Sequence, residues 1–351
     1  MSVYCETCSE WHDVHPAPHQ VGPKYLVLTL PNEIVGEIFL QFLPDYPKCP
    51  PLVGTESPAV LAQICRPWRE IALATPALWR AMRLSFEEED DHPSPPLEHQ
   101  VEVSEVWLRR SHPCPLSIQV GEFPLDLELD PFVQTIAPYH ARFEHLDLHF
   151  FRDYLHTIDG PMPLLQSLRL SFDPESDAAD DEALEDAPLL RIVTLNYVAA
   201  ALTLPWSQFT SLKVDDICAH ESIRILGQSS TLVHFDLRLL DCDNDEFDEN
   251  HPNLADTTLP CLESLIVAPV RGRDPVIGYL NTLLVPALRR LEVAESILGE
   301  NPIESLGSFI AKSGCILAEL LVTTGERKPN LVPHDDYRDA FPSISIDRIH
   351  K

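Results

Sequence analysis

The 351-residue chain is 44% hydrophobic and 23% charged, a composition that builds a core and excludes a wholly disordered polypeptide. Its 55 acidic and 25 basic residues give a formal charge of −30. That charge repels nucleic-acid phosphates and anionic membrane surfaces alike, so neither is expected as a partner. No stretch reaches the ~18 apolar residues of a membrane span. The N-terminus, "MSVYCETCSEWHDVHPAPHQ", lacks the basic-then-apolar order of a signal peptide. Nine cysteines, an odd number scattered from Cys5 to Cys315, predict free thiols in a reducing compartment, cytoplasmic or nuclear. Proline, at 33 residues against 12 glycines, punctuates the chain.

Residues 1–24 read as a disordered tail. Cys5 and Cys8 have zinc-ligand spacing, and His12 and His15 would complete four ligands, with His19 nearby. The segment is shorter than the chain a structural zinc usually organises, so no metal is assigned.

"LPNEIVGEIFLQFLP" (30–44) predicts a short helix. Pro31 suits a first turn, Ile34, Ile38 and Phe42 recur on one stripe with Val35 and Phe39 beside them, and Pro44 ends it. The loop 44–58 holds too many prolines to be helical. A second helical pattern follows, with Leu61, Ile64, Trp68 and Ile71 on one face. Pro67 lies inside it and predicts a kink or a split into two pieces. "WRAMRLSF" alternates, with Met82, Leu84 and Phe86 on one side, and reads as a strand.

The ordered set Leu30-Pro31-Asn32-Glu33-Ile34, Ile38-Phe39, Ile64-Cys65-Arg66-Pro67-Trp68-Arg69 and Leu78-Trp79 resembles an F-box. The long 44–58 loop and Pro67 depart from that family's pattern. The resemblance implies a helical module over 25–85 that lays an apolar face on a Skp-type adaptor. Through the adaptor it would join a cullin–RING ubiquitin ligase. Leu30, Pro31, Glu33, Ile34, Ile38, Phe39, Ile64 and Trp79 are then the candidate adaptor contacts. Trp68 and Ile71 are assigned to the module's own core.

Residues 86–99, with "EEEDDHPSPP" at 87–96, read as an acidic, proline-rich linker. Over 100–351 an apolar-x-x-apolar-x-apolar motif recurs eight times. It runs from Phe143-Leu146-Leu148 through Leu165-Leu168-Leu170, Leu190-Val193-Leu195, Phe209-Leu212-Val214 and Leu232-Phe235-Leu237. It then continues through Leu262-Leu265-Val267 and Leu288-Leu291-Val293 to Leu317-Leu320-Val322. Four copies carry a proline lead: "MPLLQSLRL", "APLLRIVTL", "LPCLESLIV" and "VPALRRLEV". Each copy would supply one short strand stacked in parallel on the next. "CPLSIQV" (114–120) would begin the stack and "PSISIDRI" (342–349) close it.

This pattern resembles an irregular leucine-rich-repeat array, without the family's turn Asn or Cys. The proline-led turns are similar in style to F-box proteins of mushroom-type fungi. Such an array implies a concave sheet for a protein substrate. The outward strand positions include His145, Ser167, Ser171, Thr194, Ser211, Asp215 and His234. The candidate substrate contacts among them are Asp147, His149, Arg169, Asn196, Lys213, Asp236, Arg238, Arg290 and Glu292.

The acidic runs 173–187 and 241–250 fall between repeats and read as solvated loops. "DCDNDEFDENHP" is not a calcium loop: Glu246 stands where Gly is needed and Pro252 where Glu is. No Gly-x-Ser-x-Gly, His-Glu-x-x-His, P-loop or Gly-x-Gly-x-x-Gly occurs, so no catalytic residue and no cofactor is nominated.

The expectation is an α/β chain, a small N-terminal F-box followed by a leucine-rich-repeat solenoid with a parallel sheet. Its role would be the non-catalytic substrate-recognition adaptor of an SCF-type ubiquitin ligase. The alternative is a ligase-independent repeat protein whose F-box-like helices merely cap the array. A metal-dependent enzyme or sensor using the Cys/His tail is the reading from another class.

Overall fold

The computed structural model describes residues 29–86, 95–124, 127–149, 157–158, 160–171, 184, 186–196, 202–242, 256–324 and 332–350. It also describes the backbone of two N-terminal strands, β1 (Ser2–Cys5) and β2 (Glu10–Asp13). These pair antiparallel with Tyr4 opposite Trp11, so part of the segment expected to be a disordered tail is a hairpin.

Three short helices follow: α1 (Asn32–Leu40), α2 (Leu61–Ile64) and α3 (Arg66–Leu73). Pro31 stands one residue before α1, and its carbonyl accepts from the Val35 N–H at 3.1 Å. Pro67 splits the second helical stretch as its chemistry demands. Cys65 is extended (φ −158°, ψ 166°), and the chain restarts with Pro67 in the first turn of α3, where no N–H is needed.

An eleven-stranded, wholly parallel sheet then occupies the rest of the chain. In order across the sheet its strands are β3 (Ala81–Leu84), β4 (Leu116–Val120), β5 (Phe143–His149), β6 (Ser167–Ser171), β7 (Ile192–Asn196), β8 (Ser211–Cys218) and β9 (His234–Leu240). Beyond them lie β11 (Ser264–Pro269), β13 (Arg290–Ala294), β14 (Glu319–Thr324) and β15 (Ser345–His350). Two-residue strands β10 (Thr257–Thr258) and β12 (Leu283–Leu284) pair separately. Spatial order equals chain order, so each strand lies beside the next copy in sequence.

Register follows the apolar motif. Leu146, Leu168, Val193, Leu212, Phe235, Leu265, Leu291, Leu320 and Ile346 stand side by side from β5 to β15. All 24 motif residues of the eight copies are buried. A slip of one residue would turn that apolar row to the opposite face, so burial fixes the alignment.

The prolines have a specific task. Met162–Leu165, Ala187–Leu190, Leu259–Leu262, Val285–Leu288 and Phe341–Ile344 each close a four-residue turn by an N–H···O bond from the fourth residue to the first. The second residue in every one is proline, whose fixed φ suits that position. In four of the eight copies the turn ends on the first motif residue, Leu165, Leu190, Leu262 or Leu288, and delivers it into the core.

Five further helices cover the motif face: α4 (Leu97–Arg110), α5 (Asp130–Ile136), α6 (Ala219–Leu226), α7 (Pro302–Ser313) and α8 (His334–Ala340). They contribute Trp107, Phe132, Ile225, Phe309 and Tyr337 to one continuous core. α4 begins inside the stretch read as linker. Gln100, only 2% exposed, ties it to β3 by accepting from the Ser85 N–H and donating to the Ser85 carbonyl.

Cys218 and Cys242, expected as free thiols, are joined by a disulfide at the ends of β8 and β9, with Cα atoms 6.0 Å apart. Adjacent parallel strands that end together bring the two residues within bridging distance.

Candidate functional site

Two surfaces collect the residues nominated from sequence, and a third was not nominated.

The first is the outer face of the helical end. Leu30, Ile34, Ile38 and Phe42 recur every fourth residue along α1 and its flanks, and all are exposed, Ile34 by 49% and Ile38 by 47%. Ile64, at the end of α2, is 60% exposed. The inner stripe of α1, Val35 and Phe39, is buried, with Phe39 edge-on to Trp68 at 5.0 Å. The single expected stripe is therefore two, one inward and one outward. A row of large apolar residues left exposed on one side of a short helix makes that side a candidate interaction surface.

Two nominated contacts are corrected. Phe39 is 1% exposed and Trp79 0%, so neither offers a face to a partner. Trp79 is an internal joint. Its indole N–H donates to the Ala72 carbonyl at 2.9 Å, closing α3 onto the sheet, and its ring meets Trp107 of α4 edge-on at 5.4 Å. Pro31 and Glu33 are exposed beside the stripe. Trp68 and Ile71 are half-buried against the core.

The second surface is the polar face of the sheet. One in-register row reads Arg83, Gln119, Asp147, Arg169, Thr194, Lys213, Asp236, Ile266 and Glu292. Opposite charges meet along and beside it. Arg169 lies 3.9 Å from Asp147, Lys213 3.2 Å from Asp236 and 3.4 Å from Asp215, Arg238 3.3 Å from Asp215, and Arg290 3.8 Å from Glu319. His149 Nε2 is 3.8 Å from Glu122. The Asn196 amide lies 2.8 Å from Ser171 Oγ. With its oxygen turned to Ser171, its nitrogen donates to Asp215 at 3.2 Å. Glu292 is corrected: it is 7% exposed, flanked by Ile266 and Leu321 on neighbouring strands, and does not face solvent.

The third surface was missed. The proline-rich loop after α1 folds back onto the polar face of β3–β6. Tyr46 donates to Glu144 at 2.6 Å under the Arg80 guanidinium, 3.8 Å from the ring centre. Ser117 Oγ donates to the Pro47 carbonyl at 2.7 Å, and the Arg83 N–H donates to the Pro50 carbonyl at 3.0 Å. Between loop and sheet lies a groove of about 870 Å³, floored by Arg83, Ser117, Gln119, His145, Asp147 and Arg169. Burial holds the His145 imidazolium below its usual pKa, so the ring is neutral, and burial pushes the Asp147 carboxyl up. Cys49, in the loop, is pushed up to about 11 by burial and is no nucleophile. Alternation around Met82 and Leu84 already places Arg83 on the polar face, so that part was readable.

Among the described residues no cluster of His, Cys, Asp and Glu is arranged to hold a metal, and no helix is long and apolar enough to cross a membrane. Cys8, His15 and His19, and most of both acidic runs, lie outside the described residues. Compared with protein-family models and with curated protein sequences, the chain matches none.

Proposed function

We propose that this chain is a substrate-recognition adaptor of an SCF-type ubiquitin ligase, with an F-box at its helical end and a leucine-rich-repeat solenoid behind it. The observation that carries the reading is the outer stripe Leu30, Ile34, Ile38 and Phe42, with Ile64 beside it. Leu30, Ile34, Ile38 and Ile64 are among the residues the F-box resemblance assigns to a Skp-type adaptor, Phe42 extends their row, and helix-in-groove docking uses anchors at this spacing. The monotonic order of parallel strands supports the solenoid. The polar face would then hold the target near the ligase, which raises effective concentration and requires no chemistry from this chain.

The test is calorimetric titration of the purified chain with the Skp-type adaptor of its source organism. Ile34→Asp/Ile38→Asp is expected to weaken binding at least about a hundredfold, because two buried anchors become two desolvated charges. Both side chains are exposed in the free chain, so the variant keeps its circular dichroism spectrum. Failure of the wild type to bind overturns the reading.

The buried Trp79 and the loop bonded to β3–β5 favour one second reading, a helical end piece that caps the sheet without a ligase. That reading expects no adaptor binding in the same titration.

A further inference from the structure

We propose that the groove between the 42–56 loop and strands β3–β6 binds an acidic segment of a polypeptide partner, with Lys48 and Arg83 as the groups that receive its carboxylates. The proposal deepens the adaptor reading by naming the chemical class of its target.

Charge matching separates this groove from the rest of the polar face. The other strand cations of that face already have acids: Arg169, on the groove floor itself, has Asp147, and farther along Lys213 has Asp236, Arg238 has Asp215 and Arg290 has Glu319. Lys48 and Arg83 both line the groove, and neither has an ion pair or a side-chain hydrogen bond. The Arg83 Nε is buried without an acceptor, and His145 Nδ1 is buried without a hydrogen-bond partner. Leaving a buried guanidinium N–H unmade is costly, and a ligand oxygen would relieve it.

Two of the acids nearby are committed. Asp147 is held by Arg169 and by Gln119 at 3.2 Å, and Glu144 accepts from Tyr46 and Gln166. Glu56, at the rim, is exposed. The lining holds Lys48, Arg83 and Arg169 against Asp147 and Glu56, one cation in excess, and in a chain of −30 that local reversal of sign favours an anionic occupant.

The occupant is polypeptide for two reasons. One wall is Phe42, Leu43, Pro44 and Pro47, which suits side chains alternating with the acids. The floor row Gln119–Asp147–Arg169 also runs on to Thr194 and Lys213, so a ligand longer than the groove has a surface to continue along.

The test is selection of a random heptapeptide phage library on the full chain, followed by fluorescence anisotropy of the winning peptide. Wild type is expected to enrich Asp and Glu. The winner is expected to bind Arg83→Gln/Lys48→Gln at least about tenfold more weakly, the size of one lost charge-assisted hydrogen bond. Arg83→Lys recovers part of that loss, and Lys48→Gln alone changes only an exposed side chain and cannot fail by unfolding. No acidic enrichment, or equal affinity for Arg83→Gln/Lys48→Gln, overturns the proposal. The same selection on Ile34→Asp/Ile38→Asp separates the two sites. Acidic enrichment that survives there stands independently of adaptor binding, and acidic enrichment by a wild type that binds no adaptor leaves the groove and removes the ligase.

Discussion

Glu295 is 5% exposed, and its carboxylate accepts from the Tyr337 hydroxyl at 3.0 Å, the Val332 N–H at 3.2 Å and Arg348 Nη2 at 3.3 Å. One side chain therefore holds α8 and β15 to the end of the sheet. Glu295→Ala would strip the carboxylate from a mostly buried guanidinium, which keeps only the Val332 carbonyl at 2.9 Å, and leave two donors unmatched, with an expected loss of about 3–5 kcal/mol. Urea unfolding, with amide exchange read at 345–350, checks it; unchanged protection of β15 would show that apolar packing alone holds the strand. Asp147 gives a pH signature. Burial raises its carboxyl, against the opposing pulls of Arg169, His149 and Gln119. A proton held more tightly in the folded state stabilises it at low pH, and that contribution is lost as pH rises from the ordinary 3.8 through the raised value. Asp147→Asn lacks this decline, so its stability relative to wild type should climb across that window and level off above it. Urea melts in steps from about pH 4 to about pH 7 measure the difference, and a falling difference would mean that Arg169 outweighs burial. Site residues were only half legible at this scale. Three-to-four spacing marks Ile34, Val35, Ile38 and Phe39 as apolar without saying which face turns inward. Alternation places Glu292 on the polar face but not under its neighbours.

Among elements, β8 and β9 carry the cross-link. The Cys218–Cys242 disulfide closes a loop of sequence separation 24, so reduction, or Cys218→Ser/Cys242→Ser, is expected to cost about 3 kcal/mol through the entropy of the unfolded chain. Urea melts with and without dithiothreitol test this, and thiol titration of the denatured, unreduced chain is the control. Two extra titrating thiols would remove the cross-link from the account. The strands were the most legible elements because two signals coincide in each copy, the spacing of three apolar residues and the polar residues between, and in four copies the proline turn before them adds a third. The helices were less so, for identifiable reasons. The buried stripe of α4 is Leu97, Gln100, Ser104, Trp107 and Leu108, and two polar members break the apolar period. α7 carried its signal openly, Pro302 at its start and Gly314 in the left-handed conformation (φ 65°) just past its end.

Over the whole molecule the helical end and the sheet share one core, which runs from Val35 through Trp79 and Trp107 to Ile346. Trp79, Leu78 and Met82 are each 0% exposed, and the junction lies between them, so no gap separates the α1–α3 module from β3. The 42–56 loop adds a second tie on the other face of the sheet through Tyr46, Ser117 and Arg83. Sequence placed a boundary near residue 85 because composition changes there, yet composition does not report that a tryptophan from one side is buried against the other. The consequence is mechanical. A module fixed on both faces of the first strands would hold any bound adaptor and the groove in one orientation. A chain starting at residue 81 is therefore expected to lose more than the exposed α1 stripe. It would uncover Trp107 and the edge of β3, an open strand edge beside exposed apolar surface, and should aggregate on size-exclusion chromatography. The milder Trp79→Ala, which keeps every residue of both parts, is expected to cost about 3–5 kcal/mol in urea unfolding. A truncated chain that stays monomeric with an unchanged circular dichroism signal would mean the helices are an independent bead, and the fixed geometry between docking stripe and groove would fall with it.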